Sequence, residues 1–257
     1  ISLSFMNYVI WKPGEMAFIF LENYRAAWED EIFLISLGNT VVWIVGVIGL
    51  QLLLGFGTAL LLNRDFPFRG LIRALILIPW VTPSVITALM WRWMYDGNSG
   101  LLNDLMVRLG IINQYVPWLA QGSTSLPSIM VALMWQGFPF FAVMILAGLQ
   151  AIPQELYEVA DVDGATIFQK FFRITLPMLT PILFTTILLR TIWVANSLDI
   201  IFIMTGGGPG YSSHTLPLYA YLKAYKGLDF GYAATISVYL TILLVGIVIL
   251  YVIRVMK

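Results

Sequence analysis

Five long runs of apolar residues restrict the fold of this 257-residue chain more than any other feature. A helix needs about 20 apolar residues to cross the hydrocarbon core of a bilayer. The runs are continuous, whereas barrel strands alternate over about ten residues, so they predict membrane-spanning helices. The apolar residues 1–9 are too short to span, and they predict the end of a further helix. The sequence therefore predicts an all-α integral membrane bundle of about six spans, the first truncated, with complete spans at 41–62, 74–91, 126–149, 178–203 and 232–253.

Composition supports a membrane protein and argues against several functions. Hydrophobic residues make up 60% of the chain and charged residues 11%, whereas soluble domains carry about 25% charged residues. The 14 basic and 14 acidic residues cancel, so no net field predicts a nucleic-acid partner, and membrane lipid is the expected environment. The chain has no cysteine and one histidine, His214, which excludes thiolate and multi-histidine metal sites. We find no nucleophile with a base and no buried carboxylate pair, so we expect no catalytic residue.

The distribution of Lys and Arg predicts the orientation of the spans. Residues 63–73, 150–177 and 254–257 fall on one side, and their basic residues are denser than those on the other side. Because cytoplasmic loops carry more Lys and Arg, we expect these segments and the C-terminal end in the cytoplasm. Amphipathic aromatic rings favour the interface, which predicts an outer position for Trp80, Trp91, Trp93, Tyr95 and Trp118.

The segment 150–177 is too polar to span and too periodic for a loose loop. Pro153 suits the start of a helix, and acidic residues favour its positive end. Gly164 can take the left-handed conformation that ends a helix. A second amphipathic helix follows, with Ile167 and Phe168 on its apolar side, before Pro177 opens the next span. The segment predicts a helix–glycine–helix elbow on the cytoplasmic side.

The charge of this elbow leaves two interpretations open. An amphipathic elbow can lie on the lipid surface, which explains its apolar side. It carries four carboxylates against two cations, however, and an anionic leaflet prefers the reverse. The charge favours docking to a protein, on a surface with the carboxylates Glu155, Glu158, Asp161 and Asp163.

The elbow resembles the cytoplasmic loop of the permease subunits of ABC importers. That loop has a Glu-Ala-Ala start, three residues, a glycine, nine residues and Ile-x-Leu-Pro. This chain has Glu158-Val159-Ala160, then Gly164, then Ile174, Leu176 and Pro177 at the same spacing, with Val159 as the one departure. In that family the elbow is a coupling helix that sits in a cleft of an ATPase. The resemblance assigns ATPase coupling to seven residues, namely Glu155, Glu158, Ala160, Asp163, Gly164, Ala165 and Phe168.

The resemblance extends over most of the chain and implies partners. RALILIPWVTPSV at 73–85, TGGGPG at 205–210 and FGYAATIS at 230–237 are similar to membrane subunits of carbohydrate importers, MalF-like rather than MalG-like. It implies one transmembrane domain over 1–257 in the bacterial inner membrane, moving a sugar by ATP-driven alternating access. A second, MalG-like permease, two cytoplasmic ATPases and an extracytoplasmic binding protein are expected partners. ATP and Mg are then expected on the ATPases, with no cofactor in this chain.

Polar residues inside the predicted span 178–203 are candidates for a substrate path, because charge in a membrane usually faces a cavity or a partner. On a helix they fall within about half of the circumference. Contacts between helices explain them equally well. Gln136, beside Gly137 and Pro139, predicts either a local break in another span or, equally well, close helix packing there. The candidates are Gln136, Arg190, Trp193, Asn196, Ser197 and Asp199.

Two further features of the sequence, the TGGGPG stretch and the single histidine, have ordinary structural interpretations. The TGGGPG stretch lacks the Lys-Ser or Lys-Thr of a phosphate loop, so we interpret it as a flexible outer turn near the docking surface for a binding protein. His214 is interpreted as an ordinary loop residue.

The alternative to a sugar permease is a permease for an amino acid, a glycerol phosphate or another polar solute. An ion-driven carrier is a further one, although such carriers usually have more spans and inverted repeats.

Overall fold

The computed structural model describes residues 1–11, 14 and 16–255, with side chains described as far as Ile253. Lys12 and Lys257, which were used to predict the orientation, lie outside the described residues, and the side chain of Arg254 lies outside the described side chains. Within this part of the chain, four helices are long and apolar enough to cross a membrane. They are α2 (Glu31–Leu62), α7 (Gly122–Ala151), the continuous helix Ile167–Ala195 and α13 (Phe230–Val255).

Shorter helices connect and cover these long ones. The helix Ile167–Ala195 comprises α9 (Ile167–Lys170), a π-helical segment (Phe171–Thr175) and α10 (Leu176–Ala195). The others are α1 (Glu22–Glu29), α3 (Arg69–Ile76), α4 (Ile78–Val81), α5 (Ser84–Met94), α6 (Leu101–Arg108), α8 (Gln154–Val162), α11 (Asp199–Met204) and α12 (Leu216–Tyr225).

A bent pair of helices forms the fifth predicted span. The stretch Arg69–Val81 and the helix Ser84–Met94 meet at an angle of 93°. Pro83 precedes the second helix and lacks the N–H that a continuous helix requires. Counting this pair as one span confirms the five complete spans of the sequence prediction.

The prediction for residues 1–9 is wrong. They form a 3₁₀ turn (Ser2–Phe5) and a strand, β1 (Met6–Asn7), which pairs antiparallel with β2 (Ala17–Phe18). The Asn23 amide donates to the carbonyls of Ser4 and Met6, at 3.2 and 3.0 Å, which holds this backbone in an extended path. A short apolar run does not distinguish a helix end from a strand, and here partners distant in sequence decide.

Two predictions about helix breaks are also wrong. Gln136, Gly137 and Pro139 lie in an unbroken helix, α7, since no break separates Gly122 from Ala151. The predicted span 178–203 instead ends at Ala195 and restarts at Asp199. At that point Asn196 Nδ2 donates to Ile192 O (2.8 Å) and Ser197 Oγ to Val194 O (2.7 Å). Such side-chain bonds to the backbone compete with helix continuation.

The core lies between α2, α7 and α10, which pack closely through small residues. A Cβ on Gly55 of α2 would collide with Phe141 of α7, and one on Gly148 would lie 2.7 Å from Leu179 Cδ2. Small residues let helix backbones approach in a membrane. The Trp43 indole donates from α2 to Val194 O of α10 at 3.0 Å. The three helices therefore form a closely packed frame that positions the groups described below.

Candidate coupling elbow and substrate path

The predicted elbow is confirmed as two helical arms joined at a glycine. The first arm, α8, ends before Gly164, whose φ of +71° is the left-handed conformation that glycine adopts at little cost. The Ala165 N–H donates to Ala160 O (2.8 Å) and closes the turn. Thr166 then begins the second arm, because its hydroxyl and the Gln169 side chain form a capping box. The second arm continues into α10, which corrects the prediction that the span opens at Leu176-Pro177.

The tip of the elbow presents apolar side chains to solvent. Val162 is 89% exposed, Ile167 81%, Phe168 77% and Val159 62%. We call these four residues the apolar tip. The coupling candidates Glu155, Glu158 and Asp163 are exposed beside it, and Ala160 and Ala165 are partly buried at the turn. This surface has the composition of a docking site, since its apolar residues find no cover in the described chain.

The opposite side of the elbow is fixed to the bundle. The Tyr157 hydroxyl lies 2.8 Å from Thr175 Oγ1 in the π-helical segment. Lys170 Nζ lies 2.6 Å from Asp161 Oδ1 and joins the two arms. The Phe171 ring packs edge-on against Phe56 of α2, with centroids 5.9 Å apart. The elbow is therefore exposed on one side and anchored on the other.

Arg190, a predicted substrate-path residue, is buried in a polar cluster at the centre of the bundle. Its Nε donates to Gln51 Oε1 (3.0 Å), and Gln51 Nε2 donates to Leu133 O (2.7 Å). Gly137 leaves room for both side chains, because a Cβ there would collide with each. No carboxylate among the described residues forms a salt bridge with Arg190. The cluster thus joins three helices through a charge that lacks a counter-ion in this part of the chain.

Trp193 extends from this cluster to a partly exposed aromatic platform. Its ring lies 5.2 Å from that of Phe140, which lies 5.7 Å from that of Trp80. The Arg190 guanidinium carbon lies 5.8 Å from the Trp193 ring. Trp80 and Trp193 are both exposed at their outer faces. We call Trp80, Phe140 and Trp193 the aromatic platform; it brings a cation and flat apolar faces together.

The other path candidates do not share one helical face with Arg190. Gln136 Nε2 donates to Thr82 O (2.8 Å) at the bend before Pro83. Asp199 lies on α11 and accepts a hydrogen bond from Ser84 Oγ at the start of α5. The amide of Asn196 and the hydroxyl of Ser197 bond to their own backbone. The break at 196–198 therefore separates residues that the sequence placed on one continuous surface.

The TGGGPG stretch and the residues that follow it adopt a hydrogen-bonded turn, while its flexibility and its place near a binding protein stay predictions. Ser213 Oγ contacts Thr205 Oγ1 and Gly208 O, each at 2.8 Å. The Asn39 amide donates to the carbonyls of Tyr211 and Ser212, at 3.2 Å each. These contacts tie the turn to the beginning of α2.

His214 lies in the loop between α11 and α12, as predicted, and its side chain is buried there. It packs between Tyr211 and Tyr219, and its Nδ1 has no partner within the described residues. A Cβ on Gly207 would collide with its ring. Burial lowers the pKa of His214 below its usual value, because a charged imidazole would lose its hydration there. The folded turn thus favours the neutral side chain.

Asp30 fixes the neighbouring helices at the beginning of α2. It caps α2 by accepting from the N–H groups of Ile32 (2.9 Å) and Phe33 (3.4 Å). The hydroxyls of Tyr219 and Tyr232 also donate to its Oδ2. Burial alone would raise the pKa of Asp30, but these hydrogen bonds outweigh it and lower that pKa. This cap joins α2, α12 and α13 beside the turn.

Three of the aromatic residues predicted at the outer interface lie together. Trp91, Tyr95 and Trp118 line a cavity of about 370 Å³ between α5, α6 and α7. Trp91 and Tyr95 are buried, whereas Trp80 and Trp93 are exposed. Their depth relative to the bilayer stays a prediction.

Sequence reasoning missed three of the residues that build these sites. Gln51 was visible as the one strongly polar residue of its run, which was a usable signal. The sequence around Phe140 and Tyr157 gave no such indication. The role of Phe140 depends on rings in other helices, and that of Tyr157 depends on Thr175 below α10.

The chain thus combines several long apolar helices with an exposed elbow, and a family model matches most of it. Residues 51–256 match the family described as the binding-protein-dependent transport system inner membrane component. The chain belongs to this family of inner-membrane transport subunits.

Similar proteins that align with most of the chain support its membership of this family. It is 38% identical over 92% of its length to the trehalose/maltose transport system permease MalF of Thermococcus litoralis, covering 79% of that protein. It is 39% identical to the sulfoquinovosyl glycerol transport system permease SmoG of Agrobacterium fabrum, over 88% of this chain and 72% of that one. A chain of a bacterial ABC transporter that imports the acidic polysaccharide alginate has the same fold. There the TM-score is 0.78 and the identity 22%, over 91% of this chain and 82% of that one.

Proposed function

We propose that this chain is a permease subunit of an ABC importer that moves a sugar or oligosaccharide across the inner membrane. ATP, with Mg, is hydrolysed on two separate ATPase subunits, and a second, MalG-like permease completes the path. An extracytoplasmic binding protein delivers the solute. The observation that carries the proposal is the exposed, apolar and acidic elbow that extends directly into a membrane-spanning helix.

The elbow supports docking to an ATPase on the cytoplasmic side. Its apolar tip would lose solvent exposure in a protein cleft, and well-packed aromatic residues such as Phe168 dominate such interfaces. Glu155, Glu158 and Asp163 surround the tip and suit a cleft with basic residues. The carboxylates disfavour an anionic lipid surface. The single domain over 1–257 thus carries its coupling loop at 150–177.

The aromatic platform and the Arg190 cluster support a solute path. A sugar has flat apolar faces and many hydroxyls, which suit exposed rings beside a few fixed polar groups. The rings of the aromatic platform supply the flat apolar surface. Arg190 and the side chains near the break after α10 supply the polar groups. Arg190 is held by Gln51, so its remaining N–H donors keep a fixed direction.

The carbohydrate class is inferred from relatives with named solutes. One of those relatives is named for trehalose and maltose, another for sulfoquinovosyl glycerol, and an importer of the same fold for alginate. These solutes share a sugar unit and differ in charge. The path candidates include one cation, Arg190, and one carboxylate, Asp199, beside uncharged polar groups, and such a set is compatible with both neutral and anionic sugars.

Reconstitution tests the proposal. The chain, its partner permease and their ATPases are placed in vesicles with the binding protein, and uptake of labelled disaccharides and amino acids is measured with and without ATP. We expect uptake of a sugar that requires ATP and the binding protein. Uptake driven by a proton gradient without the ATPases, or uptake of amino acids alone, would contradict it.

A further inference from the structure

Tyr157 differs from its neighbours in α8. Leu156, Glu158 and Val159 on either side of it are exposed, whereas the Tyr157 ring packs toward the bundle. Its hydroxyl lies 2.8 Å from Thr175 Oγ1, and Thr175 is buried. This pair is a side-chain link between the first arm of the elbow and the base of the following span.

The backbone around this link has three places where the elbow can bend. Pro153 precedes α8, Gly164 joins the two arms, and the π-helical segment Phe171–Thr175 interrupts the α-helical pattern below α10. Segments with π-helical bonding often occur at functional sites. The ion pair of Lys170 and Asp161 joins the arms to each other, but it is partly exposed, and such pairs contribute little. The arms need a further contact to follow the span.

We propose that the Tyr157 hydroxyl is a positioning group that holds α8 against the base of α10, so that displacement of the elbow moves the span. This inference rests on the proposed function. Without the bond, α8 can pivot at Pro153 and Gly164 while α10 stays in place. ATP is then hydrolysed with less solute moved.

The expected size of the effect follows from the strength of one hydrogen bond. A net contribution of about 1 kcal/mol shifts an equilibrium between linked and pivoted elbows by about fivefold. Each single substitution removes the bond between Tyr157 and Thr175, so their effects on this bond are not additive. Thr175→Val also removes the longer bond from Thr175 Oγ1 to Lys170 O, at 3.5 Å. We expect Tyr157→Phe and Thr175→Val each to lower the solute moved per ATP by up to about fivefold.

The experiment measures solute moved per ATP hydrolysed in the reconstituted full complex. The variants are Tyr157→Phe, Thr175→Val, the double variant, and Thr175→Ser, which keeps the hydroxyl. Tyr251→Phe is the matched control, because it removes another Tyr–Thr bond, to Thr185 on α10, at 3.2 Å. We expect both single variants and the double variant to fall together, while Thr175→Ser and Tyr251→Phe keep the wild-type ratio.

Two results would overturn the inference. One is an unchanged ratio in Tyr157→Phe. The other is a loss of ATPase copurification, in both Tyr157→Phe and Thr175→Val, that accounts for all of the lost uptake, because the bond would then serve assembly of the complex rather than movement of the span. A wild-type complex without any ATP-dependent uptake would contradict the proposed function itself and is distinguishable from both.

Discussion

The polar side chains of the elbow bond to partners close in sequence, whereas those of the Arg190 cluster bond to partners in distant helices. In the elbow, Thr166 bonds to Gln169 three residues away, and Lys170 to Asp161 nine residues away. In the cluster, Arg190 bonds to Gln51 across 139 residues, and Gln51 to Leu133 O across 82. The elbow also leaves its apolar tip exposed, whereas the cluster leaves a cation buried without a described counter-ion.

This difference indicates that the elbow is a surface for a partner, whereas the Arg190 cluster holds the helices of the bundle together. A locally bonded elbow can hold its shape while a partner covers its apolar tip. The cluster holds its shape only if α2, α7 and α10 keep their spacing, since each helix contributes one member. We therefore expect substitutions in the elbow to affect partners, and substitutions in the cluster to affect the stability of the chain.

Phe168→Ala gives the largest expected effect and tests the elbow side of the comparison. The side chain is 77% exposed, so its loss should leave the stability of the chain almost unchanged. Loss of a central aromatic contact costs an interface about 2 kcal/mol or more, roughly thirtyfold in affinity. Copurification with the ATPase measures this.

Phe68→Ala is the matched control for that substitution. Phe68 is 78% exposed and lies in another segment of the same predicted side. We expect it to copurify normally. Equal losses for both variants would mean that the apolar tip has no special role.

Gly137→Ala tests the cluster side. The added Cβ would collide with Gln51 and Arg190, and overpacking of this kind costs about 1–3 kcal/mol. The melting temperature of the purified chain should fall. Gly246→Ala is the control, since a Cβ there meets nothing within 4 Å. Similar melting temperatures for the two variants would show that the cluster is not closely packed.

Arg190→Met separates a role in stability from a role in the path. It leaves Gln51 Oε1 without its donor, which costs about 1–3 kcal/mol. Adding Gln51→Leu removes both partners and should restore much of the melting temperature. Uptake should stay low in the double variant if Arg190 lines the path. Recovery of both stability and uptake would reduce Arg190 to a contact between helices.

The smallest effect extends the comparison to the turn that contains His214. Burial holds the pKa of His214 below its ordinary value near 6.5, so the unfolded chain binds the proton more readily. Its contribution to stability is complete above that ordinary value and falls as the pH drops below it. The melting temperature, compared at pH 7.5 and 5.5, should fall less in His214→Gln than in the wild type. An identical pH dependence in both would contradict a buried neutral His214.

The elbow could be predicted from sequence because its determinants are local. Gly164, the carboxylates and the apolar residues lie within one short segment, and the periodicity there specifies both arms. The bend at Pro83 has an equally local cause, since proline lacks the backbone donor that a continuous helix requires.

The rest depended on contacts that no local pattern shows. Residues 1–9 looked like a helix end until Asn23 supplied the partners for an extended backbone. The break after Ala195 came from Asn196 and Ser197, whose side chains compete with the helix. His214 became a buried residue because Gly207 lets its ring approach.

The position of the elbow is tested most directly by labelling a cysteine at its tip. The chain contains no cysteine, so Val162→Cys gives one reactive site at the most exposed residue of the apolar tip. In oriented membrane vesicles, we expect an impermeant maleimide to label it from the cytoplasmic side alone. Bound ATPase should protect it from the reagent. Labelling from the outer side, or equal labelling with and without the ATPase, would contradict a coupling elbow.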